Sequence, residues 1–476
     1  MRASITNPET RKWWTLAAVA FGLFMIMLDN TVVNVALPSI QEDLGVGLSE
    51  LEWIVTGYAL SFAALMLTGG KVADMVGRRR VFVLGIVVFT AASFLCGVAN
   101  SSEVLIGARV LQGAGAALMN PATLSIISAT FPPRERGTAI GIWAGVSALA
   151  LAIGPLVGGL LTQHIGWEWI FFVNIPVGIV GIAASYLFID ESKDMSHEQR
   201  LDLPGLLSSG IGLFALTYGL IEANTYGWTS GRILGSFVVA VVSLVAFVLL
   251  ERNQRLPMLD LSLFRSGTFT GANLVVLLVA FAMFGIFLFL SLYLQNVLGY
   301  SAVQTGAAFL PMTILIILIA PIAGKTTDRI GSRWLMTVGM TLIGGQLLYL
   351  STVGVDTSYW DILPALLVGG VGMALTMTPS AAAAIRSVPV DKSGVGSAVL
   401  NSFRQVGGSI GIAVMGAIVA HGIGGRPGKQ PFVDGLSTAL EVAALIAFAG
   451  AVVAAVLVRS HAGQEGEAAA VEAAAG

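Results

Sequence analysis

The sequence predicts an all-α integral membrane protein with 14 transmembrane helices. Hydrophobic residues make up 56% of the 476 residues and charged residues only 11%, whereas an average soluble domain is roughly 25% charged. The mean hydropathy is +0.85. A soluble enzyme and a disordered chain are both excluded, because a surface of this composition would not stay in water.

Fourteen apolar stretches have the length of about 20 residues that a helix needs to cross the hydrocarbon core. We expect all of them to be helices, because a helix satisfies its own backbone hydrogen bonds in lipid. They run near 13–37, 52–70, 81–99, 103–128, 137–162, 167–189, 204–223, 231–250, 269–293, 304–323, 334–353, 360–385, 394–420 and 435–458.

The positions of lysine and arginine predict that both termini are cytoplasmic. With the amino terminus inside, 20 of the 25 basic residues fall on inner segments and three fall outside. Short cytoplasmic loops collect basic residues in this way. The remaining two, Arg109 and Arg404, lie within predicted helices.

The composition also limits the partners of the protein. A formal net charge of −2 provides no basic field for nucleic acid. Cys96 is the single cysteine, and the four histidines show no zinc-site spacing. We therefore expect no nucleic-acid partner and no metal site. The chain contains no Walker-type G-x-x-x-x-G-K-[ST] motif, so direct use of ATP is not expected.

An internal repeat divides the chain into two halves. GKVADMVGRRR (70–80) and GKTTDRIGSR (324–333) share the pattern G-K-x-x-D-x-x-G-x-R at an offset of 254 residues. Repeats of six helices are typical of secondary transporters. The predicted units are a cytoplasmic amino terminus (1–12), a six-helix bundle (13–189), a linker with two additional transmembrane helices (190–268), a second six-helix bundle (269–458) and a disordered cytoplasmic tail (459–476).

Four motifs carry a family resemblance that covers nearly the whole chain. They are LDNTVVNVALP (28–38), GKVADMVGRRR, RVLQGAGAA (109–117) and the run from Gly145 to GPLVGG (154–159). In this order they resemble the fourteen-span drug:proton antiporters of the major facilitator superfamily. The resemblance implies two bundles rocking about a central cavity, peripheral extra helices, and proton-coupled export from the bacterial inner membrane. We also expect a monomer that needs no cofactor besides the proton gradient.

Asp29 and Arg109 are the first candidates for proton coupling. Asp29 lies about 13 Å from the outer end of the first helix, and Arg109 lies about 9 Å into the fourth helix from the same side. An acid inside a membrane helix usually faces a cavity or a partner, so the two residues are close enough in depth to meet. The alternative is a static ion pair that only fixes packing. Glu222 is the second candidate, and its alternative is a solvated helix end.

Candidate gating residues fall in two motifs. The loop 70–80 combines a tight turn with an acid and three arginines, and the resemblance implies that it stabilises the outward-open state by bridging the halves. The alternative is that the arginines only set topology. In the fifth helix, small residues permit close approach and a proline removes a backbone bond; in the family this motif marks antiporters. The candidates are Gly70, Asp74, Gly77, Arg78, Arg79, Gly154, Pro155, Gly158 and Gly159.

Aromatic, methionine and polar residues are candidates for an adaptable substrate cavity, with lipid-facing placement as the alternative for the apolar ones. Arg404 is expected to be buried, either locking helices together or acting on substrate. The tenth span carries no acid, whereas some family members that handle divalent organic cations carry one there. This favours neutral, monocationic or zwitterionic compounds. The candidates are Met25, Asn34, Tyr58, Gln112, Phe284, Phe287, Tyr293 and Arg404.

The predicted function is therefore export of amphipathic small molecules in exchange for protons, without covalent chemistry. Three alternatives stay open at this point. They are a proton symporter of the same fold, a dedicated exporter of one endogenous metabolite, and a non-transporting receptor or scaffold. The last is disfavoured because no loop is long enough to form a soluble signalling domain.

Overall fold

The computed structural model shows that regular structure in the described part of the chain is helical throughout. Among the described residues, thirteen helices are long and apolar enough to cross a membrane. The predicted all-α membrane class is therefore confirmed. The predicted tail after Arg459 lies outside the described residues, as does the start of the predicted amino-terminal segment. The structure describes residues 8–193, 201–254, 257, 259–389, 393–424, 426 and 428–459.

The first six membrane helices form the amino-terminal bundle. In this bundle α1 packs mainly on α5, and α4 packs on both α2 and α3. The sixth helix consists of two pieces, Trp169–Phe172 and Asn174–Phe188. The helices are α1 (Pro8–Leu44), α2 (Leu48–Val76), α3 (Arg78–Gly97), α4 (Ser102–Thr130), α5 (Pro133–His164) and α6 (Trp169–Phe188).

After the linker helices α7 (Leu203–Tyr226) and α8 (Gly231–Asn253), six more helices form the carboxy-terminal bundle. The predicted eleventh span is not among the thirteen long apolar helices, but it is a helix of 18 residues packed between α12 and α14. The helices are α9 (Gly267–Val297), α10 (Ala302–Ile330), α11 (Arg333–Leu350), α12 (Tyr359–Arg386), α13 (Ser393–Ile423) and α14 (Lys429–Leu457).

The linker helices differ in how they meet the bundles. The side chains of α8 are mostly exposed, and this helix contacts chiefly α7. In contrast, α7 packs against α2 of one bundle and α13 of the other. The peripheral placement implied for both helices therefore holds for α8, whereas α7 lies against both halves.

The two repeated loops occupy corresponding places, between α2 and α3 and between α10 and α11. Each contains a glycine with positive φ, Gly77 at 133° and Gly331 at 82°, a region that side chains with a Cβ rarely adopt. This explains the glycine shared by the two copies. We call the end of the molecule that holds these loops the motif end, and the other the opposite end.

Close contacts join the two bundles at the opposite end. Gln295 Nε2 on α9 donates to the carbonyl of Val35 on α1, at 2.9 Å. The backbone amide of Val303 on α10 donates to Gln163 Oε1 on α5, at 3.1 Å. The structure is therefore closed at the opposite end.

Candidate proton-coupling site

Asp29 on α1 and Arg109 on α4 form a buried ion pair. Arg109 Nη1 donates to Asp29 Oδ2 at 2.5 Å, and both residues are 1% exposed. Their similar depths made this contact possible, and the structure shows that it is present. A charge inside the membrane is unfavourable without a partner. Pairing therefore explains how both charged residues can be buried there.

A polar network completes the surroundings of the Asp29 carboxylate. Gln112 Nε2 donates to Asp29 Oδ1 and to Ser93 Oγ, at 2.8 Å each. Asn174 Nδ2 lies 3.4 Å from the same Asp29 oxygen. The amide oxygen of Gln112 accepts from Arg109 at 2.6 Å. Both carboxylate oxygens therefore have hydrogen-bond donors, supplied by α4 and α6.

Arg109 also contacts α2. Its Nε donates to the carbonyl of Ile54 at 3.1 Å, and its guanidinium carbon lies 4.3 Å from the centre of the Tyr58 ring. The planar fork thus reaches several acceptors at once, which a lysine cannot do. Protonation of Asp29 would weaken its bond to Arg109, so a single proton would act on the packing of α1, α2, α4 and α6 together.

Two members of this network were missed by the sequence analysis. Ser93 and Asn174 were not singled out, and Gln112 was predicted only as a cavity residue. All three are at most 1% exposed. The available signal was the rarity of polar side chains inside apolar spans, since such groups need partners in lipid.

The α5 glycines at 154 and 158 allow close contact with α1. A Cβ on Gly154 would lie 1.8 Å from Thr31 Oγ1, and one on Gly158 would lie 2.6 Å from the Val32 carbonyl oxygen. Gly145 differs, because a Cβ there would meet no atom within 4 Å. The close approach expected for this motif is present at two of these three glycines.

The same turns of α5 meet α10 of the other bundle through the residues next in sequence, Pro155 and Gly159. A Cβ on Gly159 would lie 2.4 Å from the Ala302 carbonyl oxygen, and one on Gly306 would lie 2.2 Å from that of Pro155. Small residues on both sides therefore bring the two backbones together. This places α5 in contact with both halves near the opposite end.

The loop between α2 and α3 binds the end of α6 through an acid that sequence reasoning missed. Arg78 Nε donates to Asp74 Oδ1 at 2.8 Å, and the backbone amides of Arg79 and Arg80 donate to the Glu191 carboxylate at 3.1 and 3.3 Å. The Glu191 contacts join the loop to the segment just after α6, and none of these contacts reaches the carboxy-terminal bundle. A bridge from this loop to the other half remains a prediction for a different conformation.

Gly70 and Gly77 of this loop have different surroundings. A Cβ on Gly77 would lie 2.6 Å from Glu191 Oε1, whereas one on Gly70 would lie 3.3 Å from the Pro121 side chain. A residue with a side chain should therefore be tolerated less well at position 77 than at position 70, since the φ of Gly77 is also positive.

The predicted cavity residues of the amino-terminal bundle are largely buried. Met25 is 1% exposed and Asn34 is 6% exposed. Asn34 Nδ2 donates to the Asn30 carbonyl within the same helix, at 3.2 Å. Tyr58 belongs to the Arg109 surroundings described above.

The predicted aromatic residues of α9 pack within the carboxy-terminal bundle. The Phe284 ring lies against α13, where a Cβ on Gly408 would be 2.7 Å away. The Phe287 ring lies 5.0 Å from that of Phe309, at the break in α10. Tyr293 donates its hydroxyl to the Gly354 carbonyl, at 2.5 Å, so this hydroxyl is held by the loop after α11.

Arg404 lies on α13 and is half-buried, whereas the sequence analysis expected it to be buried. Its Nε has no hydrogen-bond partner among the described residues. Its role, either in locking helices together or in contacting substrate, stays a prediction.

Glu222 on α7 lies apart from the Asp29 network. Its Oε1 accepts hydrogen bonds from Ser49 Oγ and Trp53 Nε1 on α2, at 3.0 Å each. A second acid nearby, Glu52, is 2% exposed and was not considered in the sequence analysis. Its signal was weak, because it stands at the edge of an apolar stretch, where acids are usually solvated.

The fold and the buried acid–arginine pair between its helices define a membrane transporter. A family model described as the Major Facilitator Superfamily matches residues 19–412. The chain belongs to this superfamily and is a multi-pass membrane transporter of small molecules. A crystal structure of a bacterial homolog to human lysosomal transporter Spinster, in an inward-facing and occupied conformation, has the same fold. Its TM-score is 0.66 at 17% identity, over 96% of this chain and 99% of that chain.

Two curated relatives are similar over most of their length. The tetracenomycin C resistance and export protein of Streptomyces glaucescens is 37% identical over 419 residues, which cover 87% of this chain and 77% of the relative. The multidrug resistance protein Stp of Mycobacterium tuberculosis is 37% identical over 407 residues, which cover 85% of this chain and 75% of the relative.

Proposed function

We propose that the protein exports amphipathic small molecules across the bacterial inner membrane in exchange for protons. The observation that carries this proposal is the buried Asp29 and Arg109 pair with its polar network. An ionisable group inside a membrane protein usually marks an ion or substrate pathway. The names of the relatives, which refer to drug resistance and export, support the choice of substrate class and direction.

Asp29 is the proton-binding residue in this proposal and Arg109 is its alternating partner. When the Asp29 carboxylate is deprotonated, it accepts hydrogen bonds from Arg109 and from the amide of Gln112. When it takes up a proton, the attraction to Arg109 falls and the guanidinium becomes available to other groups. Since these residues lie on separate helices, the change favours a different packing of the bundle.

The motif end faces the cytoplasm in this proposal, and both termini are inside. The lopsided distribution of basic residues supports this orientation. The structure is then closed towards the outside, with α5 contacting α1 and α10 through small residues. Opening to the outside would require α5 to separate from α10, which assigns Gly159 to the gate, whereas Gly154 and Gly158 hold α5 on α1 within the amino-terminal bundle.

Dedicated export of a single compound is a second candidate function. The name of the Streptomyces relative refers to one antibiotic, tetracenomycin C, whereas the mycobacterial relative is named for multidrug resistance. Substrate breadth separates the two candidates. A thermal-shift screen with a panel of neutral, monocationic and zwitterionic amphipathic compounds would measure it directly.

The central experiment compares wild type with Asp29→Asn in liposomes loaded at low internal pH. The probe is the compound that stabilises the wild type most in the thermal-shift screen. A gradient of about two pH units supplies about 2.7 kcal/mol per proton, so wild type should accumulate the probe up to about 100-fold. Asp29→Asn should retain the thermal shift but show no gradient-driven accumulation.

Glu42→Gln is the matched control, because it makes the same acid-to-amide change on an exposed residue of the same helix. It should accumulate the probe as wild type does. Glu222→Gln should show a smaller defect than Asp29→Asn. Gradient-driven accumulation by Asp29→Asn at the wild-type level would refute the assignment of the proton site.

A further inference from the structure

A second buried acid lies where the two bundles meet at the opposite end. Glu52 stands one turn into α2 and is 2% exposed. Its Oε2 has no hydrogen-bond partner among the described residues. Burial of an ionised carboxylate is very unfavourable when no hydrogen bond replaces the hydration that it loses. Glu52 therefore differs from Asp29, whose charge is fully matched.

The enclosure of Glu52 is provided by the other bundle. A Cβ on Gly416 of α13 would lie 1.9 Å from Glu52 Oε1 and 2.3 Å from its carboxyl carbon. Only a glycine leaves room for the Glu52 side chain at this contact. The burial of Glu52 thus depends on α2 and α13 being together, which is the closed state of the opposite end.

The linker helix α7 completes this seam. Glu222 accepts hydrogen bonds from Ser49 and Trp53 on α2, and Asn224 Nδ2 donates to the Ala417 carbonyl on α13 at 2.7 Å. One turn of α7 is thereby fixed to both bundles beside Glu52.

Glu222 lies beside Glu52, because its two donors, Ser49 and Trp53, stand three residues before and one residue after Glu52 on α2. Two carboxylates that share a poorly solvated site cannot both ionise at low cost. Glu222 has two donors and Glu52 has no partner for Oε2 among the described residues, so Glu52 is the acid whose surroundings favour the protonated form. Other ionisable groups stand on the surrounding elements. They are Tyr218 on α7, Arg232 on α8, Glu103 and Arg109 on α4, and His421 on α13.

None of these groups supplies a counter-ion to Glu52 in the described structure. Arg109 is paired with Asp29, and the guanidinium of Arg232 lies over the rings of Tyr218 and Tyr226. His421 is five residues beyond Gly416, about 7.5 Å along α13. A control at this position is required, because histidine is the side-chain type whose charge ordinarily changes near neutral pH.

We propose that Glu52 and Glu222 form a proton-binding site that holds the opposite end closed. Closure brings Gly416 against Glu52 and is favourable only when Glu52 carries a proton taken from the water on that side. Opening rehydrates Glu52, and the proton leaves to the same water. This proton therefore does not cross the membrane, and it adds nothing to the number of protons exchanged per substrate.

The site rests on the proposed proton-coupled export for its physiological role, since acid outside would then promote return of the carrier to its closed state. Its physical test does not depend on transport. The measured quantity is the ratio of closed to open molecules at the opposite end. That ratio should rise as pH falls, by at most about tenfold per pH unit for one proton.

The experiment places spin labels at His164→Cys on α5 and Asn296→Cys on α9, both exposed and on different bundles, with Cys96→Ala. Distances are measured by pulsed electron spin resonance in lipid nanodiscs from pH 5 to pH 9. The background carries Asp29→Asn, so that titration of Asp29 does not contribute. The short-distance population should grow as pH falls.

Glu52→Gln mimics the protonated acid and should give a mainly closed, pH-independent population. Gly416→Ala should lower the closed population at every pH, because its new methyl group displaces Glu52. Glu222→Gln removes the like charge and should move the midpoint to lower pH. His421→Asn is the control and should leave the titration unchanged.

The proposal is refuted if Glu52→Gln titrates like the background, or if His421→Asn abolishes the titration. An unchanged or raised midpoint in Glu222→Gln would contradict the pairing of the two acids. These outcomes are distinct from failure of the proposed function, which is read from probe accumulation by Asp29→Asn rather than from distances.

Discussion

Gly154 offers a sharp test of the idea that α5 works through close contact with α1. A Cβ at this position would lie 1.8 Å from Thr31 Oγ1 and 2.9 Å from Thr31 Cβ. Gly145 lies nine residues earlier on the same helix, and a Cβ there would meet nothing within 4 Å. Gly154→Ala and Gly145→Ala therefore add the same methyl group to the same helix. The methyl group clashes with Thr31 in the first variant and meets no atom in the second.

The size of the effect follows from the contact. Ordinary van der Waals contact with a Cβ begins at 3.4 Å, so the helices must separate locally by about 1.6 Å, or Thr31 must change rotamer. Overpacking of this kind typically costs about 1–3 kcal/mol. Both substitutions also gain about 0.5–1 kcal/mol from replacing glycine within a helix. Gly145→Ala should therefore be neutral or slightly stabilising, and Gly154→Ala should be destabilised relative to it.

The assays are thermal unfolding of the purified variants and gradient-driven probe accumulation in liposomes. Gly154→Ala should unfold at lower temperature than Gly145→Ala and transport more slowly. Gly154→Leu should insert into the membrane yet lose net export. Thr31→Gly should restore part of the stability of Gly154→Ala, because it removes the clashing atoms. Equal stability and transport of the two alanine variants would refute the role of this contact.

Three further predictions concern Arg109, the loop glycines and the orientation of the chain. Arg109→Lys should lower gradient-driven accumulation at least about tenfold at equal expression, because lysine cannot reach Ile54, Asp29 and Gln112 together; wild-type accumulation would contradict this. Gly77→Ala should destabilise by about 1–3 kcal/mol, more than Gly70→Ala, and a reversed order in thermal unfolding would count against the loop geometry. A cysteine at position 426 should react with a membrane-impermeant maleimide in intact cells, whereas one at position 80 should react only after permeabilisation. The opposite pattern would reverse the orientation.

The features that could be predicted from sequence are those that depend on distance along one helix. The fixed rise of 1.5 Å per residue predicted similar depths for Asp29 and Arg109. Because an unpaired charge in lipid is unfavourable, a contact between the two could be predicted as well. The helical class followed in the same way from the length and hydropathy of each stretch. The repeat was visible because both loops need glycine at the same turn.

The features that could not be predicted depend on which faces of distant helices meet. Ser93 and Asn174 join the Asp29 network through the packing of α3 and α6, which no local pattern specifies. Glu191 reaches the loop after α2 from more than 110 residues away in sequence. The predicted second span begins at residue 52, but α2 begins at Leu48, and Gly416 of the other bundle covers Glu52.

The two attachments of α7 decide which bundle this helix follows when the opposite end opens. Glu222 joins α2 through two hydrogen bonds to a carboxylate, and Asn224 joins α13 through one neutral bond. Hydrogen bonds to charged groups contribute about 1.5–3 kcal/mol each, against about 0.5–1.5 kcal/mol for neutral ones. The neutral bond should break first, so α7 and α8 should travel with the amino-terminal bundle. The moving bodies are then unequal, eight helices against six.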